Sequence, residues 1–240
     1  MKEIGGFLEW ETYSGAEYHQ EALALNSARN ALRFLLRARK IRSIWLPRLL
    51  CEVIEEACRA ENVEIRYYPV DASLRPVFLP EIARTEWVYL INYYGQYQKS
   101  EICEWAEQFH LILDNVQAFY TKPLDGLDTV YTCRKFFGVP DGAYLYTESV
   151  LPEELEQDSS CTRLEYLMGR FEHSANAFYG AYQQHEEQLG TLPIRWMSKG
   201  THNLLRTIDY ERAKHARENN FAYLHKGFGA VNRLNVRLPE

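Results

Sequence analysis

Nowhere in these 240 residues do about eighteen apolar residues follow one another, so no segment reads as a membrane-spanning helix. The opening segment MKEIGGFLEWETYSG also lacks a basic stretch followed by an apolar one, the mark of a secretory leader. A soluble, cytoplasmic protein is the expectation, with no membrane partner. Cysteine is sparse: Cys51, Cys58, Cys103, Cys133 and Cys161 are odd in number and widely scattered. That excludes a disulfide framework and the paired spacing of a zinc site, leaving reduced thiols mostly packed as small apolar groups. The seven histidines form no HExxH or comparable cluster, so no metal centre is expected. Positive charge is also short, with a formal net charge of −6. Without a broad basic surface, nucleic acid is not an expected partner. The local run Arg29, Arg33, Arg37, Arg39, Lys40 and Arg42 reads as the solvated face of a helix. Internal repeats and low-complexity tracts are missing as well.

What is present is the composition of an ordinary globular protein, 46% hydrophobic and 25% charged, large enough for one sizeable core. Ala28, Ala31, Leu32, Leu35 and Leu36 recur at helical spacing with arginines opposite, predicting a helix over 27–39 with Ser27 as N-cap. A short apolar run, SIWLP (43–47), is followed by a helix over about 49–60 and a strand at EIRYYPV (64–70). EWVYLINYYG (86–95) reads as a strand, SEICEWAEQF (100–109) as a helix opened by Ser100, and HLILD (110–114) as a buried strand. Two further strands are predicted at TVYT (129–132) and GAYLYT (142–147). This alternation predicts an α/β layer with a mostly parallel sheet. From about residue 152, VLPEELEQ, TRLEYLMGRFEHSANAFYGAYQQHEEQL and IDYERAKHARENNFAYLHKGF are all helix-period, and NRLNVRLPE begins something strand-like. The boundaries expected are 1–150 for an α/β domain and 151–240 for a helical region.

In open parallel sheets ligands sit beyond the carboxyl ends of strands. Asp114 ends HLILD there, with Gln117 three positions on; a plain turn or N-cap aspartate is the alternative. Lys135 lies between the last two strands, after Arg134 and before an apolar FFGVP segment. A neighbouring cation and partial burial are what a nucleophilic lysine needs, whereas a lysine snorkelling from a loop is the ordinary alternative. Thr132 adds a hydroxyl nearby, and Ser27 with the amides of Ala28 and Arg29 opens a helix suited to an anion. An amine, a carboxylate, hydroxyls and a helix N-terminus together suit pyridoxal 5'-phosphate, which needs a lysine for its aldehyde, an acid for its ring nitrogen and a phosphate cradle.

LNSARNAL, IWLPRLLCEVI, RYYPVDASLRP, INYYGQ, LDNVQAFY and TCRKFFGVPDGAYLYT, in that order, resemble the successive motifs of fold type I pyridoxal-phosphate enzymes. They are most similar to the DegT/DnrJ/EryC1/StrS sugar aminotransferases, over roughly residues 20–147. The resemblance implies a fold type I large domain with a mostly parallel sheet, followed by a helical small domain that is short or incomplete. It makes Lys135 the Schiff-base lysine and Asp114 the partner of the pyridine nitrogen, these two being the catalytic residues. Gln117 would lie near the ring's phenolic oxygen, Ser27, Ala28 and Thr132 would hold the phosphate, and Tyr94, Gly95 and Gln96 would shape the pocket. Where the family stacks an aromatic residue on the ring, this chain has Cys51. The implied activity is transfer of an amino group from a small-molecule donor to a keto sugar nucleotide, in a homodimer. Arg48, Arg134 and Arg163 are the candidates for the nucleotide phosphates. A dehydratase on the same scaffold, or a cofactor-binding or partner-binding protein without turnover, are the alternatives.

Overall fold

The computed structural model describes residues 5–239; residues 1–4 of the opening segment and Glu240 lie outside the described residues. Its centre is a seven-stranded sheet in the order β1-β7-β6-β5-β4-β2-β3. The strands are β1 (Leu23–Leu25), β2 (Ser43–Pro47), β3 (Glu64–Tyr68), β4 (Trp87–Ile91), β5 (His110–Asp114), β6 (Asp128–Thr132) and β7 (Ala143–Tyr146). β2 to β6 are mutually parallel, while β7 runs antiparallel to both β6 and β1. Val88, Leu90, Ile112, Val130 and Leu145 are fully buried, as strands covered on both faces require.

The helices α1 (Ala28–Ala38), α2 (Glu52–Ala60) and α3 (Lys99–Ala106) alternate with the strands. In α1 the expected N-cap is found: Ser27 is extended (φ −159°, ψ 157°) and its Oγ accepts from the Asn30 N–H at 3.2 Å. Ala31, Leu32, Leu35 and Leu36 face the core. The opposite arginines are not merely solvated. Arg33 and Arg37 both bind Glu61 at 2.7 Å, Arg29 binds Glu56 at 2.9 Å, and Arg39 chelates Asp128 through two 2.9 Å bonds. Four of the run's six cations are thereby paired with acids from α2, its C-cap and β6, while Lys40 and Arg42 are exposed.

Several sequence expectations are corrected. α3 starts one residue before Ser100, with Gln98 at its N-cap and the Glu101 carboxylate accepting from the Gln98 N–H at 2.7 Å. VLPEELEQ is not helical, because its end is drawn into extended pairing with Trp196: Trp196 N–H donates to Glu156 O (3.0 Å) and Asp158 N–H to Trp196 O (3.1 Å). The long helix-period stretch after it divides into α4 (Glu165–Glu172) and α5 (Tyr179–Thr191), broken where Ser174 Oγ takes the Ala177 N–H at 3.3 Å. α6 (Lys199–Leu205) and α7 (Tyr210–Phe228) follow. Residues 232–239 form no strand; there the Gln96 amide clamps the Arg237 backbone, accepting at 2.9 Å and donating at 2.9 Å. Of the cysteines, Cys58 and Cys133 are buried, but Cys51, Cys103 and Cys161 are exposed.

A second apolar cluster joins β6 and β7 to the C-terminal half through Phe119, Tyr131, Tyr144, Met197 and Leu205. His19 is buried within it at 3% exposure. Its Nε2–H donates to the Phe119 carbonyl at 2.8 Å, so Nδ1 accepts from the Tyr146 hydroxyl at 3.0 Å. Burial pushes its pKa down to about 4, against a weaker opposing effect of the Phe119 carbonyl. The native imidazole is therefore neutral, whereas the unfolded one protonates near pH 6.5. Its stabilisation is complete above that value and is lost as pH falls toward 4, at about 1.4 kcal/mol per pH unit. Urea unfolding at pH 7.5 and pH 5 is expected to show a smaller loss in His19→Gln than in the parent, and equal losses would refute the assignment.

Candidate active site

The register of the sheet decides which side chains meet. Ile91 and Asp114 are paired across β4 and β5, and Asp114 and Val130 across β5 and β6. Ala143 faces Thr132 on one side and Leu25 on the other. The carboxyl ends of β1, β4, β5 and β6 thus share one edge, and the chain passes from β3 back across β2 to β4 at that edge. This reversal of strand order opens a crevice.

A cavity of about 490 Å³ occupies it. Ser27, Ala28, Asp114, Gln117, Thr132 and Lys135 all line it, so the six residues read from sequence are brought together. Asp114 is 2% exposed; its Oδ2 accepts from Tyr89 Oη and its Oδ1 from the Val116 N–H, both at 2.8 Å. Burial nevertheless raises its pKa, and those two donors and the nearby Lys135 ammonium only partly offset the effect. The carboxylate is held rigidly in a place where a further cation or N–H donor would be welcome. Gln117 Oε1 accepts from the Tyr94 N–H at 3.1 Å, which leaves its NH₂ as the free end.

Neither surrounding expected of Lys135 is found. It is exposed to the cavity, and Arg134 turns instead to Glu186 of α5 in an ion pair. Of the Tyr94, Gly95 and Gln96 trio, Tyr94 alone lines the cavity. Gly95 has φ +69°, and a Cβ there would meet Pro239 Cγ at 2.7 Å, so glycine is required; Gln96 is spent on the Arg237 backbone. Arg163 is excluded from phosphate binding because it is 7% exposed and bound between Asp141 and Asp158. Arg48 is exposed beside Leu49, which lines the cavity.

Sequence reasoning missed Tyr89, the tyrosine behind Asp114, and the roof formed by Tyr182, Glu186 and Leu189. Those three are spaced four and three apart, so one face of α5 covers the cavity. Cys51 lies on the lining at the N-cap of α2, with Tyr93 and Tyr94 from the loop after β4 as the nearby aromatic wall. Among the described residues no group of histidine, cysteine, aspartate and glutamate is placed to hold a metal ion, and no helix is long and apolar enough to cross a membrane.

No protein-family model matches the chain, and no curated protein matches it in sequence. Solved structures do. A DegT DnrJ EryC1 StrS aminotransferase from Brucella abortus aligns with a TM-score of 0.55 at 14% identity, covering 90% of this chain and 61% of that one. The sugar aminotransferase CalS13 from Micromonospora echinospora aligns with a TM-score of 0.50 at 15% identity, covering 88% and 62%. The chain thus has the fold of these aminotransferases, and it spans about three fifths of the length of those two structures.

Proposed function

We propose that the chain is an enzyme of the aminotransferase type that uses pyridoxal 5'-phosphate, with an amino-acid donor and a keto sugar nucleotide as acceptor. The observation that carries the reading is one cavity lined by both Asp114 and Lys135, with a helix N-terminus at its edge. The residues suit the cofactor. The buried carboxylate with its raised pKa accepts two hydrogen bonds and has room for a third from a ring nitrogen. Ser27, Ala28 and Thr132 offer hydroxyls and backbone amides to a phosphate. Gln117 would turn its NH₂ to the phenolic oxygen.

When bound, pyridoxal phosphate supplies an aldehyde that captures nitrogen and a ring that stores an electron pair. The chain would do the rest. Asp114 would hold a proton on the ring nitrogen, Tyr89 and the Val116 amide would keep that carboxylate aimed, and Lys135 Nζ would take the proton from the donor's Cα and deliver it to the carbon that had been the aldehyde's. Arg48, on the rim, is the residue offered to the acceptor's diphosphate. A homodimer in the cytoplasm belongs to the same proposal; α7 packs through Tyr210 and Arg217 but leaves Tyr223, Leu224 and Phe228 exposed, which supports a protein partner.

Incubating the protein with pyridoxal phosphate and glutamate tests the reading. Release of 2-oxoglutarate and pyridoxamine phosphate supports it, whereas cofactor taken up and left unchanged by amino donors would make the protein a binder without turnover. Asp114→Asn removes the charge but keeps the shape. It is expected to retain some cofactor while lowering the rate about a hundredfold or more. An unchanged steady-state rate would remove Asp114 from the mechanism.

A further inference from the structure

Arg134 and Glu186 form an ion pair that the proposed chemistry leaves unused, and both side chains line the cavity beside Lys135. Arg134 is one residue from the lysine, and its side chain is 20% exposed against 40% for Glu186. Its Nε is buried without a hydrogen-bond partner. Glu186 therefore engages one arm of a guanidinium that has a further donor to give, and a planar fork binds a carboxylate best through two parallel N–H groups. An ion pair this open to solvent is weak and exchangeable.

We propose that Arg134 is the specificity residue for the amino donor, binding its α-carboxylate, and that Glu186 is an internal carboxylate which the donor displaces. The inference rests on the transaminase reading for the identity of the ligand. An amino donor carries its carboxylate one bond from the carbon that must lie next to Lys135 Nζ. The neighbouring side chain is the one placed to meet it. Glu186 sits on the cavity face of α5, between Tyr182 and Leu189. Exchange of one carboxylate for another keeps the half-buried guanidinium neutralised before and after the donor binds.

The probe is glutarate, a dicarboxylate without an amine, titrated by calorimetry so that no reaction contributes. If Arg134 is free about one time in ten, Glu186→Gln is expected to tighten glutarate binding about tenfold. Arg134→Gln is expected to abolish that binding while pyridoxal phosphate, followed by equilibrium dialysis, is still taken up. Unchanged or weaker glutarate binding in Glu186→Gln overturns the proposal. So does a response confined to uridine diphosphate, which would give Arg134 to the nucleotide. Failure of the protein to take up pyridoxal phosphate would overturn the cofactor reading alone, since the glutarate titrations of parent and both variants are read with or without it.

Discussion

Replacing Lys135 by alanine is expected to leave a folded protein from which pyridoxal phosphate washes away and on which borohydride fixes none. The backbone around Lys135 is set without its side chain. Cys133 is fully buried, its N–H donates to Gly142 O at 3.1 Å, and its carbonyl accepts from Phe136 and Phe137 at 3.0 and 2.9 Å. Lys135 is exposed, so its truncation should change stability by no more than about 0.5 kcal/mol. The chemical loss is of another order. A positioned proton-transfer group alone contributes about 10²- to 10⁴-fold, and the capture of the cofactor aldehyde is lost as well. Turnover should drop about 10⁴-fold or more while the melting temperature hardly moves. Cofactor fixed by borohydride on the alanine variant would move the nucleophile to another amine.

Why Lys135 and Asp114 could be found in the sequence, while their supports could not, follows from the range of the forces that place them. Asp114 ends a run of buried apolar residues, and Ser27 precedes a helix with a clear apolar stripe; both signals lie within a few residues. The parallel strands β2 to β6 were legible for the same reason. β1 was not, since three residues carry no periodicity, and its place beside β7 is a matter of long-range pairing. Tyr89 is one apolar strand residue among several, and only the β4–β5 register brings its hydroxyl to Asp114. The α5 roof had a helical pattern but nothing to say which face met the cavity. VLPEELEQ misled because its helical period competes with backbone pairing to Trp196, forty residues away in sequence and invisible to any local window. Arg163 shows the same limit for charge. It reads as one surface arginine among many, yet Asp158 just before it in the chain and the more distant Asp141 enclose it.

That enclosure carries the largest expected effect on stability. Arg163 donates to Asp141 Oδ2 at 3.1 Å and to Asp158 Oδ2 at 2.9 Å, with side-chain exposures of 6%, 0% and 1% for the three. Asp141 also accepts from the Ser198 N–H at 3.3 Å, and Asp158 from Asn26 Nδ2 at 3.1 Å. Removing the guanidinium would leave Asp141 in the interior without a cation and Asp158 with only Arg195 at 3.8 Å, and a broken buried pair costs about 3–5 kcal/mol. Arg163→Met should therefore lower the melting temperature by about 10 °C, at about 2–4 °C per kcal/mol for a chain of this size. The loss belongs to the stranded acids and not to any special strength of the ion pairs. Adding Asp141→Leu and Asp158→Leu to Arg163→Met should accordingly recover much of it, since apolar side chains of similar volume replace buried charges at little loss. A melting point for Arg163→Met within about 2 °C of the parent would show that water reaches the acids and that they are not sealed as described. The triad also ties Asn26, the residue before the Ser27 cap, to the Asp141 turn between Lys135 and β7. Even at a temperature where Arg163→Met is folded, cofactor retention should weaken with Lys135 and Ser27 intact, because the segments carrying them have lost their common anchor.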